Sequence, residues 1–221
     1  MKKFLTFSFA IFSFLAFSQT PDISSTGNYT GDKILADQFF KSVLKDGNAH
    51  IEGTPYLRKD FHPANIAGNP EQIMMRYDRF NDRFEFLRNG NIMILPKINQ
   101  YQSVEFKEFN DKIELIGNYY YFNVHEGKNI QTYRKVASKF HEYEPPKNGY
   151  VNVKPAKFIN LPDSFYIRKD NIFSEFPKNK KKLIELFPDK KTEISKYLKK
   201  NSLKFTEKAD VKRLSIFLDQ L

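Results

Sequence analysis

The chain has no cysteine. That absence excludes disulfides, thiolate catalysis and zinc–sulfur sites, and it excludes a lipoprotein, whose acylation needs a cysteine at the cleavage point. Glycine is scarce and scattered: its nine residues fall singly, so no glycine-rich loop can cradle a phosphate. Long apolar runs are missing too. The one extended run, residues 4–17, is shorter than the roughly 20 residues that span a bilayer. No period of about 20 to 50 residues repeats, which excludes solenoids and propellers. A charge excess is also absent from most of the chain. Residues 19–177 carry 21 basic against 20 acidic side chains, whereas residues 178–221 carry thirteen against six.

What is present begins with an address. Lys2 and Lys3 precede the apolar run, and Ala16, Phe17 and Ser18 form a small-x-small cleavage site. This pattern predicts a signal peptide over 1–18 and an exported protein, periplasmic or extracellular and not a lipoprotein. A short membrane anchor fits the run less well, because no stop-transfer pattern follows. Residues 19–33, rich in Ser, Thr, Gly and Asn, read as a flexible lead-in. About 200 residues then remain, enough for one domain with a substantial core or two small ones. Without disulfides, such a domain must be held by burial alone.

The aromatic content points to β structure: seventeen Phe and twelve Tyr lie beyond the signal. Residues 34–177 are expected to form a mainly β domain. Apolar spacing over 34–44 suits a helical face, although a strand fits the same run. From Ile73 the period becomes two, through Ile73, Met75 and Tyr77, then Phe84 and Phe86 after a turn at Asn81 and Asp82. Asn89-Gly90 is the strongest hairpin signal, since both residues tolerate positive φ. Further strands are expected around Val104 and Phe106, Ile113 and Leu115, 119–124, 130–140, 158–168 and 172–176, with a long crossing loop over 141–155.

Residues 178–221 change period again. Leu183, Ile184 and Phe187 form one helical stripe, ended by Pro188. Ile194, Tyr197 and Leu198 form a second, with Asp189 as its expected cap, and Val211, Leu214, Leu218 and Leu221 a third, with Thr206 as its expected cap. Helices this short need a packing partner, so they should form an ordered cover on the aromatic sheet. The predicted fold class is α+β: a curved antiparallel β-meander followed by two to three short C-terminal amphipathic helices.

The order of several short segments resembles a family of small exported proteins of Bacteroidota without a characterised activity. The matching segments are Gly53-Thr54-Pro55-Tyr56-Leu57, the run from Met75 to Phe86, the run from Tyr120 to Lys128, Asp163 to Asp170, and the tail from Lys180 to Leu221. The resemblance implies a cell-envelope location and carries no catalytic residue with it.

The residues offer little for catalysis. His50, His62, His125 and His141 show no metal-ligand spacing, and His50-Ile51-Glu52 lacks the cysteine half of a zinc deaminase signature. There is no Gly-x-Ser-x-Gly elbow around Ser164 or Ser174. Asp78 and Asp82 flank a turn, where Asp bonds local backbone. Tyr119, Tyr120, Tyr121 and Phe122 read either as a stacking platform for bases or sugars or as a strand with one face in the core. No catalytic residue, metal site or cofactor is therefore assigned. The one feature that suggests a partner is the basic tail. Lys180, Lys181, Lys182, Lys190, Lys191, Lys199 and Lys200 form a candidate anion-binding set for anionic lipid, lipopolysaccharide or an acidic protein. Nucleic acid is not the expected target of an exported chain. The plainer account is that these lysines only solvate helix faces. Two functional expectations follow. The first is a non-enzymatic binding or envelope-associated module. The second is a hydrolase or metal-dependent enzyme acting on envelope polymers, which needs at least two of the histidines to converge with carboxylates in a cleft.

Overall fold

A computed structural model describes residues 51–67, 69–143 and 154–221. The signal region, the lead-in, the 34–44 run, His50 and most of the 141–155 loop lie outside these residues.

The protein is α+β, as expected, with twelve strands followed by three helices among the described residues. The strands are β1 (His62–Ile66), β2 (Gln72–Asp78), β3 (Arg83–Arg88), β4 (Asn91–Ile94), β5 (Ser103–Phe106), β6 (Asp111–Ile116), β7 (Tyr119–Glu126), β8 (Ile130–Lys135), β9 (Ser138–His141), β10 (Lys157–Asn160), β11 (Ser164–Lys169) and β12 (Ile172–Glu175). The helices are α1 (Lys180–Leu186), α2 (Lys191–Asn201) and α3 (Lys208–Asp219). Ten strands form one sheet in the order β12-β11-β8-β7-β6-β5-β1-β2-β3-β4, every pairing antiparallel.

The sheet is two meanders rather than one. The runs β1 to β4 and β5 to β8 are each sequential, and the β1–β5 pairing joins them. Two expected strands are each divided. The 130–140 run breaks after Lys135, where Val136 enters the core and β9 leaves to pair with β10 in a separate ribbon. The 158–168 run breaks at Pro162, which offers no N–H to a ladder. Turn chemistry sets the remaining registers. Asn89 and Gly90 both have positive φ, as do Asp170 and Asn171, the signature of the primed turns that match strand twist.

Side-chain contacts show how far the sheet curls. Strands β3 and β7 lie five positions apart, which in a flat sheet would be about 24 Å. Yet the rings of Phe84 and Tyr120, one from each strand, have centroids 4.7 Å apart. Tyr77 on β2 likewise meets Phe122 on β7 at 5.2 Å. The meanders are therefore rolled around a shared aromatic interior of Tyr77, Phe84, Phe106, Tyr120 and Phe122, completed by Met75, Val104 and Ile113. Asp82 fastens one end of the roll. Its carboxylate accepts the Tyr77 hydroxyl at 2.6 Å, the Tyr120 N–H at 3.3 Å and the Lys97 ammonium at 2.7 Å.

A bulge in β7 between Asn123 and His125 shifts the register against β8. Beyond it the sheet changes partner. Val124, Ile130, Phe165 and Ile167 face the helices, where Leu183, Ile194, Val211, Leu214 and Leu218 close over them. The helical cover is thus present, with α3 lying across β7 and β8. The buried Thr132 hydroxyl meets that of Ser215 at 2.8 Å, and Ser215 in turn donates to the Val211 carbonyl of α3. Two expected caps are corrected. Asp189 sits inside a 3-10 turn, leaving Lys190 as the residue before α2, and Glu207 rather than Thr206 precedes α3; neither makes a side-chain cap. The cap that does form is Asn179, whose side chain accepts the Lys182 N–H at 3.0 Å.

Candidate anion-binding surface

The seven lysines lie on the helical cover but do not make one patch. Lys180, Lys181, Lys182, Lys191, Lys199 and Lys200 are exposed, and Lys190 is half-buried. Lys180 and Lys199 share a groove with Lys196, Leu198 and Phe205. Lys182 lies along a different depression with Lys178 and Glu185. Lys190 lines a third, at the end of the sheet. Among the described residues, no carboxylate comes within ion-pair distance of any of the seven side chains.

Their positions along the helices separate them further. Lys199 and Lys200 occupy the last turn of α2, where cations complement the helix dipole. Lys180, Lys181 and Lys182 fill the first turn of α1, which has no acidic residue. There each cation opposes the dipole and repels its neighbours, costing a few tenths of a kcal/mol to about 1 kcal/mol. Helix stability accounts for the first pair of lysines and not for the second group.

The end-of-sheet pocket has a volume of about 410 Å³. It lies between the β7–β8 turn, the β11–β12 turn, Phe187, Lys190 and the end of α3. The β7–β8 turn is held by Asp219, whose carboxylate accepts the N–H groups of Lys128 at 3.3 Å, Asn129 at 2.8 Å and Ile130 at 3.0 Å. His125 Nε2 adds a contact at 3.4 Å. Burial pushes the Asp219 carboxyl towards higher pKa, but the three N–H groups together with His125 outweigh it, leaving the group below the ordinary carboxylate range. A Cβ at 127 would overlap the Asp219 carboxylate, so a larger residue there has to displace that side chain from the turn.

Sequence reasoning missed the densest polar cluster. Arg76 donates to Glu85 through Nε at 2.9 Å and Nη2 at 2.7 Å, and Arg83 donates to the other Glu85 oxygen at 3.0 Å. Arg83 Nε lies 3.2 Å from Asp78, which also accepts the N–H groups of Phe80 and Asn81 at 3.0 Å. The Arg76 guanidinium stacks 3.6 Å from the Tyr56 ring centroid and bonds its hydroxyl at 2.7 Å. Burial, then the charge of Glu85, pushes the Tyr56 phenol up to about 12. A signal was available: Arg76 faces Glu85 and Asp78 faces Arg83 across one hairpin, as two opposite-charge pairs. All four carboxylate oxygens are engaged, so the cluster fastens the 51–61 segment to the hairpin and leaves no group poised for proton transfer.

The three described histidines do not converge. His62 on β1 bonds Glu108, His125 ends β7 beside Asp219, and His141 ends β9 beside the Glu142 carbonyl. Among the described residues, no three His, Asp or Glu side chains are grouped to hold a metal ion. The aromatic run on β7 splits by strand alternation. Tyr120 and Phe122 enter the roll, while Tyr121 is covered on the outer face by Tyr166 and Phe173 at 4.9 and 5.0 Å. Of the four, only Tyr119 is exposed, at 51 %. Among the described residues, no helix is long and apolar enough to cross a membrane. Comparison of the chain with protein-family models, curated proteins and solved structures finds no match to any of them.

Proposed function

We propose that this protein is an exported, non-enzymatic module that associates with an anionic surface of the cell envelope through the basic side of its helical cover. The observation that carries this reading is the position of Lys180, Lys181 and Lys182: exposed, with no carboxylate at ion-pair distance among the described residues (Glu175 feels the charge of Lys182 but is paired with Lys178), and placed where they weaken their own helix. A lipid surface rich in phosphate relieves that repulsion. Each lysine near such a surface contributes about 1 kcal/mol. The signal-peptide pattern and the three separated histidines are consistent with this role, and no observation favours a hydrolase.

Sedimentation with vesicles containing phosphatidylglycerol, at low salt, tests it. Replacing Lys180, Lys181 and Lys182 with Ala is expected to weaken partitioning on the order of a hundredfold, about 3 kcal/mol in all. The same change should leave thermal stability unchanged or slightly raised. Unaltered partitioning of the triple variant would sink the proposal.

A further inference from the structure

The end-of-sheet pocket differs in kind from the lysine-bearing helix faces, because its donors are held in place. Gln131 lines it with its amide orientation fixed. Gln131 Oε1 accepts the Arg168 Nη1–H at 2.8 Å, and the Tyr133 hydroxyl shares its one proton between Gln131 Oε1 at 2.9 Å and Glu114 Oε2 at 3.1 Å. Arg168 can only donate, so the carbonyl oxygen must face it. The amide carbonyl is thereby turned towards Arg168, and among the described residues the two amide N–H donors have no hydrogen-bond partner. Arg168 is itself clamped, 5.1 Å from the Tyr133 ring and 3.7 Å from Glu114, with only one nitrogen engaged by Gln131.

Around these fixed donors stand Lys128, Lys169 and Lys190. The one acidic side chain in the lining is Asp170, already paired with Lys169 at 2.6 Å. The floor is apolar, made by Ile130, Phe187 and Leu218, all nearly fully buried. A wall of donors and positive charge over an apolar floor fits a ligand that brings acceptors, negative charge and a non-polar body. We infer that this pocket binds an organic phosphate, its charged group among Arg168, Gln131 and the three lysines, its body over Ile130 and Phe187. Lys190 aside, the site shares no residue with the lysine set of the tail, and it stands whether or not α1 meets a membrane.

Titration calorimetry on the full chain tests the site with three probes: inorganic phosphate, a glucose phosphate and a short-chain phosphatidic acid. Saturable binding of at least one organic phosphate, tighter than that of inorganic phosphate, is expected. Preference for the phosphatidic acid identifies a lipid headgroup as the source, and preference for the glucose phosphate a soluble ester. The double change Lys128→Ala, Lys169→Ala should cost at least about tenfold in affinity, ~1.4 kcal/mol. Gln131→Glu keeps the size but replaces donors by acceptors, and should cost a similar factor while the melting temperature holds. Replacing Lys180, Lys181 and Lys182 with Ala should leave this binding unchanged. No saturable binding of any probe, or equal loss in the α1 variant and the pocket variants, would overturn the inference.

Discussion

The two cores of this protein solve the same problem with different side chains. Inside the roll, rings such as Phe84, Tyr101, Tyr120 and Phe122 span the interior, with Met75, Val104 and Ile113 filling between them. Under the helices aliphatic residues predominate, among them Ile130, Ile167, Leu183, Ile194, Val211 and Leu214, with Phe165, Phe176 and Phe187 beside them. The difference follows from the number of layers. A sheet that curls on itself must fill its interior from one layer, so each side chain has to reach across, and aromatic rings reach farthest. A sheet covered by helices receives half of its core from the cover, and branched aliphatic residues interdigitate at that distance. The bulge at Asn123 to His125 marks the boundary, handing β7 from one arrangement to the other.

The largest effect should come from emptying the roll. Phe84→Ala removes a ring that contacts Tyr77, Phe106 and Tyr120, and should cost about 3–5 kcal/mol. Leu214→Ala in the helical core should cost less, near the lower end of about 2–5 kcal/mol, because α3 can settle inward on the sheet. Urea unfolding of both variants at unchanged m-value compares them directly. A greater loss from Leu214→Ala would mean that the cover, not the roll, holds most of the stability.

A smaller effect tests how the cover is fastened. Asp219→Ala deprives three backbone N–H groups of the β7–β8 turn of their acceptor, at a cost of about 1–2 kcal/mol, comparable to a lost helix cap. Because the carboxyl of Asp219 lies below its ordinary pKa in the folded state, its contribution is present above about pH 4 and is lost as pH falls through the folded value. The stability gap between wild type and variant should therefore close on acidification. Amide exchange at Asn129 and Ile130 should quicken in the variant while exchange in the roll does not. Equal exchange in both regions would show that the two cores open as one unit.

The sequence made some of this architecture legible and concealed the rest, for physical reasons. Alternation from Ile73 to Phe86, the Asn89-Gly90 turn and the three helical stripes are local patterns, and each element appears where those patterns place it. Strand β1 was not foreseen, because His62-Pro63-Ala64-Asn65-Ile66 has a proline and no clear alternation; it is a strand because β2 and β5 pair on either side of it. The closing of the roll was equally hidden, since Asp82 bonds Tyr120 across 38 positions. Among the candidate lysines, charge count gave the identities but not the grouping. Only Lys190 reaches the pocket, whose other donors, Lys128 and Gln131 around the start of β8 and Arg168 and Lys169 at the end of β11, are distant in sequence and brought together by the β8–β11 pairing.

The smallest effect has the opposite sign. In the sheet, positive-φ positions are held by residues that tolerate them: Asp82, Asn89, Gly90, Asn110, Gly117, Asp170 and Asn171. The cover instead ends α2 on Ser202 at φ 48°, a left-handed conformation that costs an ordinary residue roughly 1–2 kcal/mol. Ser202→Gly removes that strain, while the extra backbone entropy glycine loses on folding takes back roughly 0.5–1 kcal/mol. The N–H of residue 202 keeps its bond to the Leu198 carbonyl, so the helix stop is preserved. A net gain of about 0.5–1 kcal/mol is expected, read as a small rise in the urea midpoint. The same gain should not be available at Asn89 or Asn171, where the residue already suits the turn. If Asn171→Gly stabilised as much as Ser202→Gly, turn chemistry would be no better matched in the sheet than in its cover.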